Sequence, residues 1–351
     1  MERRKTRSVK LADKYLGSNH PILIQSMTYT KTSDKEATLQ QILSLEKAGC
    51  DIVRFSVPDE DCVNSIPYLK ENSHIPLVAD IHFDYRLALQ CAERGIDKIR
   101  INPGNIGSED RVKAVANMCK SKNIPIRIGV NGGSLEKHIL EKYGSPTPEA
   151  LCESALFHVK LLEKFDFYDT VVSIKSSDVA STIKANRLFA SMCDYPIHLG
   201  VTEAGTERSG LIKSSAGIGS LLCDGIGDTL RVSLSDDVIK EVEAAKDLLR
   251  VLGIRSGVKI VSCPTCSRCN IDVFSVAKRL EEALKDKNWD MKIAVMGCAV
   301  NGPGEAREAD IGIAGGNGEG LLFKKGEIVG KVPMSDFFDV LMREAQNLAK
   351  E

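Results

Sequence analysis

No stretch of about 18 consecutive apolar residues occurs in the 351-residue chain, so no membrane-spanning helix is predicted. The basic start, MERRKTRSVKLADKY, is not followed by the apolar run that a secretory signal requires. An excess of one charge sign is missing too. The 47 Lys and Arg nearly balance the 48 Asp and Glu, which removes the overall field that would attract a nucleic acid or an anionic membrane. The protein is therefore expected to be cytoplasmic, with neither as a partner, and any functional charge has to be local. A glycine-rich dinucleotide turn after an early strand is also lacking. The one glycine cluster, GGNGEG at 315–320, fits neither P-loop nor dinucleotide spacing and reads as a hairpin turn.

What is present begins with size. A chain this long exceeds a single core, and 43% hydrophobic with 27% charged residues is ordinary globular composition, so two domains are expected. Between His20 and Leu252 short β-branched runs alternate with longer amphipathic segments. The runs lie at 21–26, 51–57, 76–82, 97–102, 125–131, 169–175, 196–203 and 228–234. Eight such units predict a (β/α)8 TIM barrel over residues 1–253. Its last helix would start at Ser235 as N-cap and stop at Gly253. Residues 254–351 read differently, as a smaller α+β domain with strands near 258 and 291, a helix at 272–286, further strands around the glycine turn and a closing helix.

Polar residues recur toward the ends of the barrel runs, where barrel enzymes place their chemistry: Gln25 and Ser26, Arg54, Asp80 and His82, Arg100 and Asn102, Arg127 and Asn131, Lys175, His198 and Glu203, Arg231. Charges inside β-branched runs are costly unless paired or facing an open site. Each could singly be a structural ion pair. Together, Arg54, Arg100, Arg127, Lys175 and Arg231 bring five cations from five strands against few acids, and guanidinium forks match phosphate oxygens bidentately. A phosphate or diphosphate ester is the best-matched ligand. Glu203 stands among these cations as a carboxylate suited to orienting a hydroxyl or moving a proton, and His82 and His198 are further acid–base candidates.

Eleven cysteines, an odd number over a long chain, do not make the disulfide framework of a short secreted domain. Seven of them (Cys50, Cys62, Cys91, Cys119, Cys152, Cys193, Cys223) stand singly and read as buried small hydrophobes. The other four cluster: Cys263, Cys266 and Cys269 in SCPTCSRCN, and Cys298 in GCAVNGPGE. CxxC spacing brings two thiolates to one metal centre and a distant ligand stitches the domain around it. Four cysteines also suit tetrahedral zinc, but the second CxxC pair of a zinc ribbon is absent.

CPTC (263–266), GCAVNGPGE (297–305), HLGVTEAG (198–205), RINPGN (100–105) and PIRIGVN (125–131) together resemble the bacterial 4-hydroxy-3-methylbut-2-enyl diphosphate synthases of the methylerythritol phosphate route to isoprenoids, in their short, two-domain form. The resemblance implies a 4Fe-4S cluster held by Cys263, Cys266, Cys298 and Glu305. It also implies catalytic roles for Glu203 and Glu305, and a substrate pocket built from Arg54, Arg100, Asn102, Arg127, Asn131, Lys175, His198 and Arg231. Cys269 is additional to the family pattern and is expected to be a bystander.

The implied reaction is the two-electron reductive ring opening of 2-C-methyl-D-erythritol 2,4-cyclodiphosphate, with loss of water, fed by reduced flavodoxin or ferredoxin. A carboxylate ligand is harder and more exchangeable than a thiolate, which suits an iron that must open. The rivals are a redox-inactive barrel transferase with a structural zinc domain and an iron–sulfur sensor. Element order adds an expectation about assembly. The helix after strand 8 returns the chain to the face opposite the barrel's catalytic end, so a head-to-tail homodimer is needed to bring a cluster domain to a barrel mouth, as the resemblance also implies.

Overall fold

The computed structural model describes residues 2–298, 300 and 302–350, with only the backbone of Pro103. The chain divides into two compact units that meet between Leu248 and Leu249. The first opens with an element the sequence reading did not anticipate, an antiparallel hairpin of β1 (Val9–Leu11) and β2 (Lys14–Leu16). Eight parallel strands follow: β3 (Leu23–Met27), β4 (Ile52–Ser56), β5 (Leu77–Asp80), β6 (Lys98–Ile101), β7 (Ile126–Asn131), β8 (Thr170–Lys175), β9 (His198–Leu199) and β10 (Thr229–Leu230).

Their order is β8-β7-β6-β5-β4-β3-β10-β9, and a parallel bridge between Val172 and Ile197 brings β8 back to β9. This is the expected TIM barrel. Helices fill the connections, from Lys35–Lys47 after β3 to Val238–Val251 after β10. β9 and β10 are much shorter than the runs that predicted them. Beyond Leu199 the chain stays tied to its neighbours by single bonds, Arg231 N–H to Leu199 O (3.0 Å) and Thr202 N–H to Ser176 O (3.3 Å), without a continuous ladder.

Strand alternation stacks the barrel interior in layers. At the N-terminal ends of the strands Leu23, Ile52, Val78 and Val171 pack with Val9, Leu11 and Leu16, so the hairpin forms an apolar plug under the barrel. At the opposite end, aspartates cap the helices that follow the strands: Asp34, Asp59, Asp84 and Asp178 each accept a backbone N–H in the first turn. The last barrel helix departs from expectation. Ser235 spends its N–H on Gly205 O, and Asp237 supplies the cap, accepting from Ile239 N at 2.9 Å. Gly253, at φ +69°, ends the turn as expected.

Five of the seven isolated cysteines are buried, and burial pushes the thiols of Cys50, Cys91, Cys119 and Cys152 up to about 12 and that of Cys62 to about 11. Cys193 is only half-buried and Cys223 is exposed, which corrects the uniform reading. Both stand where a helix ends and the chain leaves the barrel wall.

The second unit is a five-stranded sheet in sequence order: β11 (Val258–Ser262), β12 (Met291–Met296), β13 (Ile311–Gly315), β14 (Glu319–Lys324) and β15 (Glu327–Pro333). β11 to β13 run parallel, and β13 to β15 are antiparallel. The GGNGEG stretch is the β13–β14 turn, closed by Gly316 N–H to Glu319 O at 2.8 Å. On one face Ile293, Val295, Ile311 and Ile313 meet Leu280, Leu284, Phe337 and Leu341 from helices Val273–Leu284 and Phe337–Leu348. On the other, Ala294, Met296 and Ala314 meet Ala306 and Ala309. No helix of the described residues is long and apolar enough to cross a membrane.

Candidate active site

At the C-terminal ends of the barrel strands lies a cavity of about 230 Å³. All five cations singled out in the sequence line it: Arg54 from β4, Arg100 from β6, Arg127 from β7, Lys175 from β8, and Arg231 just beyond β10. Asp80, His82 and Asn131 share the lining with Ser173, Thr202 and Ser233, three hydroxyl residues the sequence reading passed over. Two of these extend the alternation that places Lys175 and Arg231 on the interior face, so the signal was present. Small residues make the convergence possible. A side chain at Gly129 would collide with the Arg100 guanidinium, and one at Gly200 would put its Cβ 2.5 Å from Lys175 Nζ.

Charge is unevenly balanced around this cavity. Asp80 sits between Arg100 (3.0 Å) and Arg54 (3.7 Å). Burial alone would raise its carboxyl, but Arg54, Arg100 and Arg127 outweigh that and hold it below the ordinary carboxylate range. Arg231 is taken by an acid that the sequence reading missed. Glu241, on helix Val238–Val251, binds it bidentately at 3.0 Å and 3.0 Å while accepting from Ser26 Oγ and Leu234 N.

Arg54 and Arg100 share the single carboxylate of Asp80, and among the described residues Arg127 and Lys175 have no acid of their own. Burial lowers Arg54 to about 10, against the pull of Asp80. Burial, then Arg54 and Arg100, disfavour charge on Arg127, whose guanidinium donates to Gln25 Oε1 at 3.4 Å. Burial and four surrounding guanidinium groups press Lys175 well down. Guanidinium groups do not shed their protons in proteins, so a field of this sign is relieved by an anion.

Three other expected site residues lie elsewhere. Asn102 is buried but does not line the cavity. Its Oδ1 caps the short helix Pro103–Ile106 at Gly104 N (3.1 Å), and its Nδ2 donates to Ser134 Oγ (2.7 Å). His198 is fully buried outside the lining, Nδ1 paired with Thr229 Oγ1 at 2.8 Å and Nε2 without a partner among the described residues. Burial, then Arg127 and Lys175, hold it neutral. Glu203 is exposed on the loop after β9 rather than in the cavity, and its φ of +51° is a left-handed conformation that few non-glycine residues adopt. Such local strain gathers at functional loops.

The cysteines occupy the second unit. Cys263 follows β11, and Cys298 follows β12, so both loops leave the same ends of two paired parallel strands. Gly297 N donates to Cys263 Sγ at 3.1 Å and Gly297 O accepts from Asn270 N at 2.9 Å, which knits the two loops together. Cys266 is exposed. Cys269 is turned to its own loop, its thiol 3.2 Å from Ile271 O, and it packs on the unit's core. Glu305 is exposed on helix Gly302–Arg307, which lies against the sheet where Ala306 meets Gly312. Ala299 and Asn301 of the same loop fall outside the described residues. Among the described residues no three His, Cys, Asp or Glu side chains converge closely enough to hold a metal ion. Three thiols and one carboxylate on two knitted loops are nonetheless the donor chemistry of an iron–sulfur group.

A family model described as the GcpE TIM-barrel domain matches residues 6–246, and one described as the GcpE protein C-terminal domain matches 259–347. The chain is 57% identical to the 4-hydroxy-3-methylbut-2-en-1-yl diphosphate synthase (flavodoxin) of Fusobacterium nucleatum subsp. nucleatum, over 97% of this chain and 96% of that one. This chain belongs to the 4-hydroxy-3-methylbut-2-en-1-yl diphosphate synthase family. It is 56% identical to the synthase of the same name from Clostridium perfringens, over 98% of this chain and 99% of that one.

Among solved structures, a Xanthomonas albilineans dihydropteroate synthase in complex with indole-2-carboxylic acid and 6-chloroguanine covers 71% of this chain and 97% of its own, with a TM-score of 0.50 at 14% identity. That likeness shows the barrel fold alone. The zinc-stapled transferase alternative finds no support among the synthases.

Proposed function

We infer that this synthase catalyses the reductive ring opening and dehydration of 2-C-methyl-D-erythritol 2,4-cyclodiphosphate to 4-hydroxy-3-methylbut-2-enyl diphosphate, an oxidoreductase step of isoprenoid biosynthesis. The observation that carries the reading in this molecule is the convergence of five cations on one barrel cavity against two carboxylates among the described residues, Asp80 in its lining and Glu241 beneath Arg231. A cyclic diphosphate supplies the missing negative charge. Arg54, Arg100, Arg127 and Lys175 would bind its phosphate oxygens, and Asn131 its hydroxyl or phosphate edge. Arg231, already held by Glu241, would present a fixed guanidinium. His198, neutral and buried, would support the floor of the site rather than transfer protons, and Asn102 would shape the rim through its cap. Glu203 would orient a substrate hydroxyl or move a proton once its loop faces the ligand.

The second unit would hold a 4Fe-4S cluster through Cys263, Cys266, Cys298 and Glu305, and the cluster would supply the two electrons that the ring opening consumes. Reduced flavodoxin, which the names of the related synthases include, or ferredoxin would deliver them. The active assembly would be a head-to-tail homodimer. Anaerobic purification followed by iron, sulfide and zinc analysis tests the cluster assignment. Roughly four iron and four sulfide per chain are expected. Stoichiometric zinc without sulfide would overturn it.

Two substitutions extend the test. Cys269→Ser is expected to keep iron content and turnover, because its thiol faces Ile271 O and the core. Iron loss in that variant would show that the ligand set is wrong. Neutralising Arg54, Arg100 or Lys175 one at a time should weaken cyclodiphosphate binding by about 1.5 to 3 kcal/mol, the worth of a charge-assisted contact. Isothermal titration without reductant measures this, and unchanged affinity in all three would remove the cavity from the substrate site.

A further inference from the structure

Below the ring of cavity cations lies a sixth, Lys98, the first residue of β6. It shares the interior face of that strand with Arg100, two residues on. Its solvent exposure is 0%, and among the described residues Nζ has no hydrogen-bond partner. A buried ammonium without a partner is among the costliest groups a protein can hold.

Among the described residues nothing around Lys98 offsets that cost. From β4 and β7, Arg54 and Arg127 oppose its charge, and burial opposes it most. His198 of β9 is neutral, and Gln25 of β3 carries no charge. Its register partner on β5 is Val78, which belongs to the apolar plug with Val171 of β8 and the hairpin residues Val9, Leu11 and Leu16. Among the described residues the acid coupled to it is its chain neighbour Asp97, and that carboxylate already serves Lys70 Nζ (2.5 Å) and Leu77 N (2.8 Å). Asp80 is taken by Arg100 and Arg54.

We propose that Lys98 makes anion binding in this barrel proton-linked: the amine is neutral while the cavity above it is empty and takes one proton from solvent when a diphosphate enters. The empty cavity surrounds the amine with net positive charge. A ligand carrying at least two negative charges offsets most of that field, and the same burial that expelled the proton then strengthens the amine's attraction to the bound anion. The cavity is thereby spared an unpaired sixth cation when empty and gains one when full. This inference rests on the diphosphate reading above.

The sign of the stability effect follows from linkage. In the unfolded chain Lys98 keeps its proton up to about pH 10.4, whereas the folded interior holds it neutral. The unfolded state therefore binds more protons, and this group makes the protein more stable as pH rises toward 10. Lys98→Met, similar in length and apolar, removes that dependence. Its melting temperature should exceed that of the wild type at pH 7, with the difference shrinking as pH approaches 10.

The second arm is titration of the cluster-loaded full-length protein with the cyclodiphosphate, without reductant so that no turnover occurs, in buffers of different ionisation enthalpy. The wild type should take up about one proton more per ligand bound than Lys98→Met does. Equal uptake by the two proteins, or a Lys98→Met variant less stable than wild type at pH 7, would overturn the proposal while leaving the substrate assignment intact. No binding by the wild type would overturn the substrate assignment itself. If Lys98→Met does not fold, Lys98→Gln takes its place in both arms.

Discussion

Glu305→Ala is expected to retain most of its iron and sulfide yet lose turnover by on the order of 100-fold or more, the scale for removing a group that acts at the reacting centre. The reasoning lies in the donor set. Three thiolates suffice to anchor a cluster, and the carboxylate would be the harder, more exchangeable fourth ligand. Glu305 is exposed, yet its helix is laid firmly on the sheet where Ala306 meets Gly312, so the substitution should leave the local fold in place. Cys298→Ser is the contrast. It removes a thiolate from a loop knitted to the CPTC loop through Gly297, and the cluster itself should be lost. Metal analysis beside steady-state rates separates the two. Full activity in Glu305→Ala would remove the reason to place a carboxylate among the ligands.

The second large effect concerns assembly. A barrel variant carrying Arg54→Met and Lys175→Met should bind substrate too weakly to turn over, and Cys298→Ser should lack the cluster. Each alone is then inactive. Mixed under conditions where subunits exchange, they should regain activity, because a head-to-tail heterodimer contains one site made of an intact barrel and an intact cluster unit. At equal mixing about half of the dimers are heterodimers, each with one of two sites competent, so roughly a quarter of wild-type activity is expected. Native mass spectrometry establishes the exchange. Exchange without recovery would mean that each cluster serves its own barrel.

Much of this architecture is legible in the residues because burial on both faces leaves β-branched runs that stand out from amphipathic helices. The five barrel cations were legible for the same reason: a charge inside such a run is expensive and calls for an explanation. Other features escaped. The Val9–Leu16 hairpin is too short and too charged to read as strands, and only packing against Leu23 and Val78 reveals its purpose. Glu241 reads as a solvated helix residue until the fold turns it under Arg231.

Asn102 and Glu203 were placed by sequence neighbourhood. The first is drawn off by the helix it caps and the second by a left-handed turn, neither of which hydrophobic periodicity registers. Lys98 was within reach, since it alternates with Arg100, but it stands at the start of its strand. Barrel chemistry gathers at the opposite, C-terminal ends of the strands.

The most direct test of the catalytic reading is single-substrate turnover. The anaerobically prepared, iron-loaded protein is given 2-C-methyl-D-erythritol 2,4-cyclodiphosphate and a strong one-electron chemical reductant, and the product is followed by phosphorus-31 magnetic resonance. Formation of 4-hydroxy-3-methylbut-2-enyl diphosphate, two electrons consumed per molecule, is the expected result. Cyclodiphosphate recovered unchanged from protein that holds its cluster and binds the substrate would contradict it.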